Sequence, residues 1–121
     1  MKVLIHEIND QRIAEVLSDG FVIHTAQDAL ELMMHPDVSG SMKIILHKTS
    51  LEPNFFELRT GLAGEILQKF VNYHIQLAIV GDFSTVKSES LKALIRESKR
   101  GKQTFFVENT EAAIGALSDN E

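Results

Sequence analysis

ELRTGLAGEILQKFVNYHIQLAIVGDF, residues 57–83, holds a turn, a helix and a strand in one stretch. Arg59, Thr60, Gly61 and Gly64 form a polar, glycine-bearing turn. Leu58, Leu62, Ile66, Phe70 and Tyr73 then recur on one stripe with Ala63 and Leu67 beside it, which predicts an amphipathic helix. Ile75 to Val80 is a short apolar run ending in Gly81-Asp82, the pattern of a buried strand. In an open α/β sheet, ligands and partners meet the protein where such turns gather at the carboxyl ends of strands. Function is therefore expected at this turn and at Asp82.

The helix has two candidate starts. Asn54 after Pro53, with Glu57 three residues on, is one; Thr60-Gly61 is the other. The first puts Gly61 and Gly64 inside the helix, at about 1 kcal/mol each relative to alanine. The second makes Thr60 the cap, and is preferred.

Outward from this segment the periods alternate. Lys2–Ile8 and Arg12–Leu17 read as a hairpin around Asn9-Asp10, and Phe21–Ile23 as a short further strand. Thr25 with Asp28 resembles a capping box opening a helix through Ala26, Ala29, Leu30, Met33 and Met34, which Pro36 stops. KIILH, 43–47, reads as a doubly covered strand. Leu91, Leu94 and Ile95 mark a third helix ended by Gly101. Thr104–Val107 is the last strand, and Asn109 caps a final helix through Leu117. This order predicts a single α/β domain over residues 1–121: a mainly parallel sheet with an N-terminal hairpin and about four helices.

Composition narrows the function classes. A chain of 121 residues, 44% hydrophobic, can carry one core without staples. With no cysteine, disulfides and thiolate metal sites are excluded. The formal charge of −5 and the scattered cations lack the basic footprint that nucleic acid requires; the cluster Lys99, Arg100, Lys102 suits a helix C-terminus. MKVLIHEI is broken by His6 and Glu7 and does not read as a signal peptide, and no apolar run reaches membrane-span length. A cytoplasmic protein without membrane attachment is expected.

No catalytic signature stands out, so no catalytic residue, cofactor or metal ligand is assigned. The five histidines offer no i, i+4 pair; His47, at the end of KIILH beside Lys48, is the most suggestive, and His24 could approach it near the strand ends. Thr60 is either an N-cap or a hydroxyl placed for anion binding or phosphorylation, with Arg59 adjacent. Gly61 and Gly64 read as close packing of helix on sheet. Asp82 reads as a turn aspartate held by Ser84 and Thr85. Tyr73 is expected to pack, and Phe55-Phe56 and Phe105-Phe106 to be half buried at most.

LRTGLAGEILQKF, NYHIQLAIVGDF and ESKRGKQTFFVE resemble the small bacterial domain-of-unknown-function family four-one-eight-zero, over nearly the whole chain. KIILHKTSLEPNFFELRTGLAGEIL followed by IQLAIVGDF is also similar in layout to STAS domains, the anti-sigma-factor-antagonist fold, in which Asp-Ser-Ser-Gly-Leu opens a helix. Aligned on Gly61-Leu62, that resemblance sets Thr60 at the serine that partner kinases phosphorylate. Arg59 stands at the preceding serine and Leu58 at the aspartate. It implies a STAS-like regulatory module binding a protein partner through Arg59, Thr60, Gly61, Gly64 and Asp82. The rival expectation is a small-molecule or anion site, or an enzyme, using Lys48, Arg59, Thr60 and Asp82 at the same strand ends; a homodimer is a third.

Overall fold

Asn9 and Asp10 both hold left-handed backbone, with φ of 54° and 65°. Two such residues make the tight turn whose twist matches a hairpin, and short polar side chains tolerate that conformation. In this computed structural model, which describes residues 1–57 and 60–118, the turn joins β1 (Lys2–Ile8) to β2 (Gln11–Leu17) in antiparallel register, Ile8 opposite Gln11 and Lys2 opposite Leu17. Helix α1 (Ala26–Met34), β3 (Lys43–His47), α2 (Leu62–Asn72), β4 (Gln76–Val80), α3 (Glu89–Ser98), β5 (Thr104–Val107) and α4 (Thr110–Ser118) follow. The sheet runs β1-β2-β3-β4-β5, with all pairs after the first parallel.

That order decides which face each helix covers. Parallel crossovers are right-handed, so in a sheet laid down in sequence they fall on one face. Ala29, Leu32 and Met33 of α1 and Ala63, Ile66 and Phe70 of α2 accordingly pack on Ala14, Val16, Ile44, Leu46, Leu77 and Ile79. Helix α4 follows the last strand and is under no such constraint. Its Ala113 and Leu117 cover Ile13, Ile45, Ala78 and Val80 from the other side. Lys43 Nζ donates to the carbonyl of Leu117, a cation at the helix C-terminus. One helix cannot cover five strands, and Leu4 on β1 stays exposed.

The capping box at Thr25 forms as expected: Asp28 N–H donates to Thr25 Oγ1, and Thr25 N–H to Asp28 Oδ2. Both starts expected for the long helix are partly used. Pro53–Phe56 is a separate 3-10 turn capped by Glu52, and α2 begins at Leu62 with Gly61, φ 78°, as its N-cap. Thr60 caps from one position earlier, its Oγ1 accepting from Leu62 N–H at 3.2 Å. His74, φ 58°, takes the left-handed position that ends α2, and Ile75 N–H reaches back to the Phe70 carbonyl.

Four local expectations are corrected. Phe21–Ile23 is not a strand: only Ile23 bridges, to Leu51, and Val22 and Ile23 N–H both donate to the Ser50 carbonyl. Phe55 is fully buried, because the 3-10 turn removes the two-residue alternation on which half-burial rested. Tyr73 lies just past the end of α2, off its buried stripe, and is exposed. Gly61 and Gly64 are not contact glycines, since a Cβ on either would meet nothing within 4 Å. Leu58, read onto the α2 stripe, lies outside the described residues.

Candidate functional site

An acidic side chain sits in the sheet where apolar ones are the rule. Glu15 alternates with Ile13 on the α4 face of β2, and its residue is 4% exposed. His6 on β1 and His47 on β3 flank it. His6 Nε2 lies 2.9 Å from Glu15 Oε1, and His47 Nε2 lies 2.7 Å from Oε2. Thr110, the first residue of α4, donates its hydroxyl to Oε2 at 3.0 Å. Three strands and a helix thus converge on one carboxyl group.

The protonation pattern follows from this geometry. Burial pushes the Glu15 carboxyl up, but hydrogen bonds from His6, His47 and Thr110 together outweigh it, aided by the charge of His47. The group is held below its ordinary value of 4.5. An ionised carboxylate only accepts, so both imidazoles present Nε2–H to it, and the tautomers are assigned by that requirement. Each ring is left with Nδ1, and among the described residues neither Nδ1 has a hydrogen-bond partner. The two imidazoles keep 27% and 24% of their side-chain surface exposed, against 6% for Glu15. A buried carboxylate therefore orients two half-exposed imidazoles.

His47 also lines a cavity of about 480 Å³ at the carboxyl ends of β2 and β3, together with Lys2, Ser18, Asp19, Thr49 and Ser50. Ser18 Oγ donates to the Gly20 carbonyl at 2.6 Å, so in its 2.9 Å contact with Ser50 the proton comes from Ser50. No group of three or more His, Cys, Asp or Glu among the described residues is arranged to hold a metal ion. The cluster is a hydrogen-bond network. Among the described residues no serine, threonine or cysteine hydroxyl or thiol is hydrogen-bonded to either imidazole.

The residues singled out from the sequence lie further along the same edge. Thr60 precedes α2, which descends from the carboxyl end of β3, and Asp82 follows the carboxyl end of β4. Their loops meet through Phe56 and Phe83, whose rings are 6.2 Å apart. Thr60, Gly61, Gly64 and Asp82 are exposed and line none of the cavities described here; Arg59 lies outside the described residues. Thr60 Oγ1 is engaged with the carbonyls of Glu57 (2.8 Å) and Asn54 (3.1 Å). Asp82 Oδ1 accepts from Ser84 N–H and Oγ; these bonds, with the nearby charge of Lys48, hold its carboxyl below the usual range. Lys48 Nζ donates to the Asp82 carbonyl at 3.0 Å. His24 does not turn to His47 but to Asp28.

His6, Glu15 and Thr110 were missed from sequence, while His47 was noted without its partner. The available signal was Glu15 itself: one acid inside the apolar run IAEV, on the face that carries Ile13.

No helix among the described residues is long and apolar enough to cross a membrane. No curated protein and no solved structure matches the chain. A match over residues 8–117 spans β2 to α4, and with them Glu15, His47 and Thr110; by it the chain belongs to the family described as a domain of unknown function, DUF4180.

Proposed function

We propose that this domain binds a small polar molecule in the cavity at the carboxyl ends of β2 and β3, with His47 as the principal contact. The observation that carries the reading is the Glu15–His47 hydrogen bond. Burying a carboxylate is unfavourable, and well-packed apolar side chains hold a sheet as well or better. A network of this kind serves to orient the imidazole. With Nε2–H given to Glu15, a neutral His47 has Nδ1 as an acceptor for a ligand hydroxyl or N–H group. Lys2 adds a cation and Asp19 a carboxylate to the same wall, so a hydroxylated ligand with an anionic group set toward Lys2 and away from Asp19 fits the lining.

A thermal-shift screen of hydroxylated acids and phosphorylated metabolites, run on wild type and His47→Ala, tests this. A ligand at 100 times its Kd stabilises by about 2.7 kcal/mol. A compound that stabilises wild type on that scale and loses its effect in His47→Ala supports the reading. Equal stabilisation of both, or none from any compound, removes it.

The second reading is a regulatory protein partner docked on the Thr60–Gly64 turn, α2 and the Asp82 loop. Exposure supports it: Thr60, Gly64, Val71, Tyr73 and Asp82 all face solvent without lining the cavities above. A phosphate on Thr60 would break the hydroxyl's bonds to the Asn54 and Glu57 carbonyls and reshape the turn. Incubation with host lysate and ATP followed by phosphosite mapping checks it; phosphate absent from Thr60 counts against switching.

A further inference from the structure

Lys48 is held in an arrangement that cross-linking two loops does not require. Its Nζ lies 5.7 Å from the centre of the Phe56 ring and 5.3 Å from that of Phe83. Its stem rests on the bare backbone of Gly81, where a Cβ would come within 2.6 Å of Lys48 Cβ. One of its three N–H donors goes to the Asp82 carbonyl. Among the described residues no carboxylate lies within 4 Å of Nζ. Asp82 acts on it only across a longer gap, and its Oδ1 is committed to Ser84.

Beside this cation is a cavity of about 450 Å³ whose wall is almost wholly apolar, including Phe21, Leu51, Pro53, Phe56 and Leu91. Among the described residues Lys48 is the only charged one lining it. Phe21, on that wall, is 46% exposed, a large aromatic left partly in water. An apolar hollow with a single aromatic-flanked ammonium, donors to spare and no acid on its lining matches an amphiphilic anion. The apolar body would leave water against Phe21, Phe56 and Leu91, and the anionic head would take the remaining Nζ donors. We infer that this cavity is a second site, distinct from that of His47, for a small organic anion with an aliphatic or aryl tail, and that Lys48 binds its head group.

Octanoate and its uncharged counterpart octanol are the probes, titrated into the full 15N-labelled chain and followed by amide shifts. Octanoate is expected to give saturable shifts at Phe21, Leu51, Phe56 and Leu91, with Ser18 and Asp19 unmoved. Lys48→Met keeps the stem and removes the charge. It should weaken octanoate by about tenfold or more, the loss of one charge-assisted hydrogen bond, and leave octanol within about threefold. Phe21→Ala, at an exposed position outside the core, should weaken both. Three results would overturn the assignment: no saturable shifts, shifts centred on Ser18 and Asp19, or octanoate binding that Lys48→Met leaves unchanged. Parallel loss of octanoate and octanol in Lys48→Met would do the same, since Lys48 would then act only by packing.

Discussion

Glu15 Oε2 and His47 Nε2 lie 2.7 Å apart across neighbouring parallel strands, in a sheet where the adjoining residues on that face are Ile13 and Ile45. This bond, with those from His6 and Thr110, ties the hairpin, β3 and α4 to one group.

Glu15→Gln removes the charge and offers one acceptor oxygen where two were used, turning its amide N–H₂ toward an imidazole N–H. A loss of about 1–3 kcal/mol in unfolding free energy is expected by urea denaturation. In a cycle with His47→Ala the two changes should couple by about 0.5 kcal/mol or more. Strict additivity would mean that the two side chains do not act together.

Acid should weaken the fold through the same group. The folded Glu15 carboxyl titrates below its ordinary value of 4.5, so the unfolded chain binds the proton first as pH falls. The stability it contributes is complete above that value and is lost as pH drops through the lower, folded one. Unfolding free energy measured from pH 6 downward should fall from near 4.5, and Glu15→Gln should show a shallower fall. Asp82 shifts in the same direction but is fully exposed, and Asp82→Asn should leave the profile close to wild type.

Gly61→Ala and Gly64→Ala should act with opposite signs. Gly61 has φ of 78°, which costs an L-residue about 1–2 kcal/mol. Gly64 is helical, exposed and has open space around it, so alanine there should stabilise by about 0.5–1 kcal/mol. Thermal melts of the two variants decide it.

Gly81→Ala sets a methyl 2.6 Å from Lys48 Cβ, an atom that no rotamer change can move aside. A destabilisation of about 1–3 kcal/mol is expected, and most of it should persist in a Lys48→Ala background, because alanine keeps that Cβ. Full relief by Lys48→Ala would assign the clash to the outer stem.

What was legible in the sequence was local. Asn9-Asp10, Thr25 with Asp28, and the apolar runs of β3 and β4 each specify their own geometry within a few residues, and together they gave the element order. The differences arise where a period is carried past its element: half-burial of Phe55 assumes two-residue alternation in what is a 3-10 turn, and packing of Tyr73 assumes helix beyond its end. The Glu15 cluster was hidden for a different reason. Its partners come from 9, 32 and 95 positions away, and only the strand order brings them together. The contact between Lys48 and Gly81 depends likewise on β3 lying beside β4.

The bare flank of β1 has a dynamic consequence. This outermost strand leaves Leu4 and Ile5 exposed, and among the described residues Val3 and Ile8 are the side chains it packs against the two cores. Backbone pairing with β2 and the bond from His6 to Glu15 therefore carry much of its attachment. Amide protons on its outward edge are expected to exchange ahead of those in β3 and β4, and protonating a single glutamate should loosen the whole ribbon from the body of the molecule.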